Sequence, residues 1–264
     1  MRIVSYRRDD GAERFGFVDG EVVHDAGTDL TDLVLADAVG RLDELTVLAP
    51  VPRPGKVVCV GRNYAEHAAE TGSPVPDRPQ LFAKWANAVV GPGVDVVHHA
   101  VTAQLDYEAE LVAVIGRTAR RVPEAKALDV VLGYTCGDDI SARDLQLGDT
   151  QWVRGKTLDT FAPTGPWIVT ADEVGDPQAL PIRCEVNGEV RQDDTTAHML
   201  FGVAELIAFV TEAITLEPGD LLFTGTPPGV GHGMKPPRYL AVGDRVRVEI
   251  RSVGAIEHGI SAPA

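Results

Sequence analysis

The chain has 264 residues, of which 44% are apolar and 24% charged, and 39 acidic against 24 basic side chains give a formal net charge of -15. That length and composition suit a folded protein with a large core, while the negative field disfavours nucleic acid and anionic membrane surfaces as partners. No apolar run reaches the roughly 18 residues of a membrane span, and the opening MRIVSYRRDDGAERFG lacks the apolar stretch of a signal peptide, so a cytoplasmic protein is expected.

In chain order, RIVSY reads as a first strand, and the Asp19-Gly20 turn joins RFGFV to EVVHD as a hairpin. A short helical stretch is expected near residues 30–46. The connector APVPRPG follows, and Pro52 and Pro54 hold it extended. A domain boundary is placed there, giving a small N-terminal α+β domain over residues 1–51 and a larger domain over 52–264.

Beyond the boundary, strands are expected at 56–61, 110–116, 166–170, 183–192, 221–225 and 245–250. Asn187-Gly188 divides the fourth of these into a hairpin. One long helix is expected over 197–214, where Leu200, Val203, Ala204, Ile207 and Ile214 recur at helical spacing and LEPGD stops it. Many short strands with few helices indicate a mainly β (α+β) fold. Cys59, Cys136 and Cys184 are odd in number and set among apolar neighbours, as reduced core thiols would be.

Five stretches carry chemistry. In VGRNYAEHAAETG, residues 60–72, Asn63 and Glu66 have capping-box spacing and Gly72 offers a stop. His67 and Glu70 then share one helix face at i and i+3. A carboxylate beside an imidazole orients it and raises its basicity, as a general base requires, although an ordinary surface pair has the same spacing.

In LDYEAELVAVIG, residues 105–116, strand alternation projects Asp106, Glu108 and Glu110 to one face. Neighbouring carboxylates raise each other's pKa, and a shared divalent cation relieves this, with an all-oxygen set suiting Mg²⁺, Mn²⁺ or Ca²⁺ more than zinc. A solvated strand face is the alternative. CGDDISARDLQ, residues 136–146, offers a further carboxylate at a strand end, or else a turn or helix cap. In RGKTLDTFAPTGPWIV, Lys156 can pair with a substrate carboxylate or an oxyanion, or be a plain surface lysine. FTGTPPGVGHG, residues 223–233, offers backbone amides and the Thr226 hydroxyl to an anion, without the ending of a phosphate loop.

As an ordered set, GRNYAEH, LFAKWANAVVGP, DYEAELVAVIG, DDISARDLQ, GKTLDTFAPTGPW and LEPGDLLFTGTPPGVG resemble the fumarylacetoacetate hydrolase family over about residues 52–252. The resemblance implies a mixed β-sheet roll, a homodimer, and one Mg²⁺ or Mn²⁺ bound by Glu108, Glu110 and Asp139. It implies His67 and Glu70 as a catalytic dyad on a lid, and Lys156 as the active-site lysine. Arg62, Lys84, Arg143, Gln146 and Thr226 fall where substrate-binding or site-ordering groups are found. Two positions depart from the family pattern: Asp138 stands where Asn is usual, and His198 where Asp is often found.

The substrates implied are small anionic oxo acids. In the leading expectation, water activated by His67 and Glu70 cleaves a carbon–carbon bond of a 3-acylpyruvate, with Lys156 holding the developing charge. Oxaloacetate decarboxylation and isomerisation of 2-hydroxyhepta-2,4-diene-1,7-dioate pass through the same kind of enolate and stand as alternatives, and a non-catalytic metal- or ligand-binding module is the reading outside enzymology.

Overall fold

The structure, a computed structural model, describes residues 1–263. Its centre is the strand Ala109–Ile115, buried at every position. A strand covered on both faces has no need of polar alternation, which is why its sequence is apolar almost throughout. Glu110 is the exception, and it too is buried.

That strand pairs antiparallel with Val131–Asp138 on one side and Leu221–Phe223 on the other. The sheet around it has 12 strands. From the centre it continues on one side through Val57–Val60 and Leu81–Lys84, and on the other through Ala162–Thr170 to the N-terminal strands. A second sheet of five strands contains the hairpin Pro181–Val186 and Glu189–Thr195, then Arg245–Ile250, Gly254–Ser261 and Val96–Val97. Parallel pairings occur beside the mostly antiparallel ones. The mainly β expectation therefore holds, and both expected hairpins form.

The N-terminal segment Arg2–Arg7 joins the large sheet through Arg2↔Val169 and Ile3↔Ile168. The helix expected near 30–46 does not form. Ala38–Arg41 is a strand and Leu42–Glu44 a single 3-10 turn. Val34 and Leu35 are 64% and 65% exposed, and packing rather than propensity stabilises most helices.

The long helix is shorter than its periodicity suggests, running Val203–Ala213 after a 3-10 turn at Thr196–His198. A tertiary contact cuts it: the Leu200 N–H donates to the Asn63 carbonyl at 2.8 Å and the Phe201 N–H to Asn63 Oδ1 at 2.8 Å. Asn63 is thereby taken from the cap expected of it. The helix Ala65–Glu70 begins after Tyr64 with no side-chain cap, and the Asn63 amide donates to the carbonyls of Phe201 and Thr224. All three cysteines are free and buried. Among the described residues, no helix is long and apolar enough to cross a membrane.

Candidate active site

The strand at 105–116 is interrupted. Leu105–Asp106 pairs with Ser141–Ala142 in a small ribbon of its own, and the main strand begins only at Ala109. Across this break the three acidic side chains, all buried, separate in function. Glu108 and Glu110 meet Asp139 so that one oxygen from each lies within 4.8 Å of the others. Asp106 points elsewhere, accepting from the Gly231 and His232 N–H groups at 2.8 and 2.9 Å and from Arg143 Nε at 2.9 Å.

Positive charge surrounds the trio. Lys156 ends the short helix Val153–Lys156, and its Nζ lies 2.8 Å from Glu108 Oε2 and 2.9 Å from Asp139 Oδ2. Arg143 lies 2.6 Å from Glu108 Oε1 and donates to Gln146 at 3.0 Å. Burial alone would raise Glu108, but Arg143 and Lys156 outweigh it and hold the carboxyl well below its usual range. Burial would likewise lower Lys156, yet Asp139 and Glu108 raise it. Glu110 is the odd member: burial, then Asp139 and Glu108, push it well above the usual range, with Lys156 and the Gly225 N–H only partly opposing.

This imbalance is the test of whether a divalent cation fits. Three buried carboxylates offer an all-oxygen donor set, and each has lone pairs left after its contacts with Lys156, Arg143, Lys84 or the Gly225 N–H. One of the three resists ionisation for want of further positive charge. An ion of the Mg²⁺ or Mn²⁺ class matches both the donors and the missing charge, so the residues fit.

A cleft opens above the trio, lined among others by Arg62, His67, Gln146, Trp152, Thr226 and His232. His67 Nδ1 lies 2.8 Å from Glu70 Oε1, and Glu70 Oε2 accepts the Gly229 N–H at 2.8 Å. The dyad is thus assembled and pinned to the 223–233 loop, with the imidazole facing the cleft. A side chain at Gly233 would strike Glu70, its Cβ falling 2.7 Å from Oε2, so this loop approaches the helix only because it is glycine-rich. The Thr226 hydroxyl donates to the Ala109 carbonyl at 2.9 Å and accepts from Gln192 at 2.8 Å.

Lys84 does not line the cleft. Its Nζ donates to the carbonyls of Ile140, Lys156 and Phe161, which uses all three of its donors. It lies 2.6 Å from Asp139 Oδ1 as a counter-charge behind the site, outside the cleft. Arg62, by contrast, is in the cleft, with its guanidinium 5.3 Å from the Trp152 ring. Among the described residues it has no hydrogen bond or ion pair with the protein, and burial lowers its pKa.

Sequence reasoning missed Asp106, Gln192, Trp152 and His232. Asp106 shows the right alternation but gives no hint that its partners are a distant loop and an arginine. Gln192 staples the site by accepting the Ala109 N–H at 3.0 Å and donating to Thr226 and Pro227. The His232 ring is braced by the Tyr239 hydroxyl at 2.9 Å, and burial followed by Arg143 lowers its pKa.

The chain is similar to known proteins over most of its length. The family model described as fumarylacetoacetate (FAA) hydrolase, C-terminal, matches residues 56–261. Over 215 residues, 81% of this chain and 68% of the relative, the sequence is 49% identical to "oxaloacetate tautomerase FAHD2A, mitochondrial" of Bos taurus. The solved fumarylacetoacetate hydrolase of Exiguobacterium antarcticum matches with a TM-score of 0.90 at 38% identity, covering 100% of both chains. The 2-hydroxyhepta-2,4-diene-1,7-dioate isomerase of Mycobacterium marinum matches with a TM-score of 0.88 at 36% identity, covering 100% of this chain and 99% of its own. The chain belongs to the fumarylacetoacetate hydrolase family.

Proposed function

We propose that this enzyme interconverts the keto and enol forms of a small 2-oxo dicarboxylate of the oxaloacetate type, with Mg²⁺ or Mn²⁺ held by Glu108, Glu110 and Asp139. The observation that carries the reading is Arg62, stacked near Trp152 with no hydrogen bond or ion pair among the described residues, in the same cleft as Glu108 and Glu110. Arginine is suited to bidentate capture of a carboxylate. A substrate whose oxo-acid end lies over the trio presents its second carboxylate to that group. The 49% identical bovine relative bears the name of an oxaloacetate tautomerase, which favours the same substrate class.

The cation, when bound, would polarise the 2-oxo group and so acidify the neighbouring methylene. His67, oriented by Glu70, takes the proton from that carbon and passes it to water, the enolate oxygen takes a proton from water as the enol leaves, and both transfers run backwards in the reverse direction. Lys156, held protonated by Glu108 and Asp139, supplies fixed positive charge where the oxygen becomes negative. Gln146 and Arg143, bonded to each other, shape the floor of the cleft. The net change moves one proton between carbon and oxygen and breaks no carbon–carbon bond.

The same dyad supports a second reading, cleavage of a 3-acylpyruvate by water activated at His67. Glu70 accepts from Gly229 with one oxygen and engages the imidazole with the other, an arrangement that also suits abstraction of a proton from water. Decay of enol absorbance after mixing oxaloacetate with the Mg²⁺-loaded protein tests the first reading. Acceleration without pyruvate release supports it; acylpyruvate cleavage with no effect on oxaloacetate replaces it with the second. Homodimer formation belongs to the same proposal, and Trp85 and Leu147, 62% and 54% exposed, offer apolar surface for it.

A further inference from the structure

Asp138 is next in sequence to a proposed metal ligand, yet its side chain does not enter the cleft. It is fully buried, and its partner His258 is 2% exposed. Asp138 Oδ1 accepts the main-chain N–H of Glu108 at 2.8 Å, and Oδ2 lies 2.9 Å from His258 Nε2. Nδ1 of the same ring has no partner among the described residues. All of the hydrogen bonding of this buried imidazole is therefore directed at Asp138.

The place of this contact matters. The ladder between Ala109–Ile115 and Val131–Asp138 ends at the Ala109↔Asp138 pair. One residue further, the Glu108 carbonyl accepts the Asp139 N–H at 2.9 Å, and its own N–H is held by a side chain, that of Asp138. Where the two strands part, Asp138 thus takes over from the sheet in fixing the main chain that carries Glu108. His258 belongs to Gly254–Ser261 in the five-stranded sheet, so the pair also ties the end of the large sheet to the second one.

We propose that Asp138 and His258 form a positioning pair that fixes the main chain of Glu108 and thereby sets the divalent-metal affinity of the Glu108, Glu110 and Asp139 site. Neither residue touches substrate. The extra acidic group beside the trio is matched by an imidazole from the other sheet, and its geometry is used to aim a ligand. The pair rests on the metal-site reading, and the test separates the two.

The test titrates EDTA-stripped protein with Mn²⁺, following free Mn²⁺ by electron paramagnetic resonance, alongside thermal melts of the metal-free protein. Partners of metal ligands typically change affinity by about 10- to 100-fold. That loss is expected for Asp138→Ala and for His258→Ala. Asp138→Asn keeps an oxygen for the Glu108 N–H and is expected to retain most of the affinity. Glu108→Gln is the control: unchanged Mn²⁺ binding there removes the metal-site reading itself. Weakened binding in Glu108→Gln with wild-type affinity in Asp138→Ala and His258→Ala overturns the positioning pair alone. A lowered melting temperature with unchanged Mn²⁺ affinity overturns it as well, since that is what a merely structural contact gives. If Asp138→Ala does not fold, the same criterion is read from His258→Ala.

Discussion

The main-chain N–H of Gly225 donates to Oε2 of Glu110 at 2.7 Å, the one hydrogen bond that this buried carboxylate receives among the described residues. Gly225 has φ +96, and a Cβ there would fall 2.6 Å from Asn63 Cβ, so the amide reaches Glu110 only because the position is glycine. One neutral donor is too little for a charge in this setting. Burial, Asp139 and Glu108 together leave the carboxyl well above its ordinary value of 4.5.

A pH dependence follows. A group whose folded pKa is raised contributes stability that is fully present below the unfolded value and is lost as pH rises through the folded value. The metal-free protein should therefore lose thermal stability as pH climbs above 4.5 and through the raised value of Glu110. Saturating Mg²⁺ should remove most of that loss, and Glu110→Gln, which cannot ionise, should flatten it without metal. Melting temperature measured against pH, with EDTA and with Mg²⁺, checks all three.

In the proposed reaction His67 and Glu70 act on the proton, and among the described residues they touch none of the three carboxylates through a hydrogen bond. His67→Ala should lower turnover by about two orders of magnitude or more, the usual contribution of a general base. Mn²⁺ affinity should stay near wild type. Steady-state rates beside a metal titration separate the two effects, and unchanged turnover would take His67 out of the mechanism.

Lys84 and Lys156 are both buried lysines beside Asp139, but their surroundings predict different phenotypes. Lys84→Met strips three carbonyls of their donor and Asp139 of a counter-charge, so it should cost about 3–5 kcal/mol of unfolding free energy, the usual effect of breaking a buried pair. Its damage should appear in urea denaturation. Substrate KM in the folded fraction should change little, because Lys84 does not line the cleft.

Arg62 makes the substrate class testable. A charge-assisted hydrogen-bonded contact is worth about 1.5–3 kcal/mol, so Arg62→Met should raise KM for a 2-oxo dicarboxylate by roughly 10- to 100-fold. A 2-oxo monocarboxylate of similar size should be affected far less. Equal effects on both would place the second carboxylate elsewhere.

Much of this site was legible in the chain itself. Alternation projected Glu108 and Glu110 together, i and i+3 spacing joined His67 to Glu70, and Asn187-Gly188 marked its hairpin. Each is a local rule with a local partner. What escaped reading depends on contacts far along the chain. Asn63 has capping-box spacing, yet its amide bonds residues 138 and 161 positions away. Asp138 stood out only as a departure from the family's usual Asn, and its counterpart His258 lies 120 residues on. Periodicity also carried the long helix back to residue 197, because it cannot register that Asn63 claims the N–H groups of Leu200 and Phe201.

The central claim is that the carboxylate trio and His67 move a proton at the carbon next to a 2-oxo group. Proton NMR of oxaloacetate in D₂O, with Mg²⁺-loaded protein, measures that exchange directly. The account predicts methylene proton loss well above the spontaneous rate with no matching pyruvate signal, and an enzymatic rate lower by about two orders of magnitude or more for His67→Ala. Exchange at the spontaneous rate with the Mg²⁺-loaded wild type, or pyruvate appearing as fast as protons are lost, would contradict it.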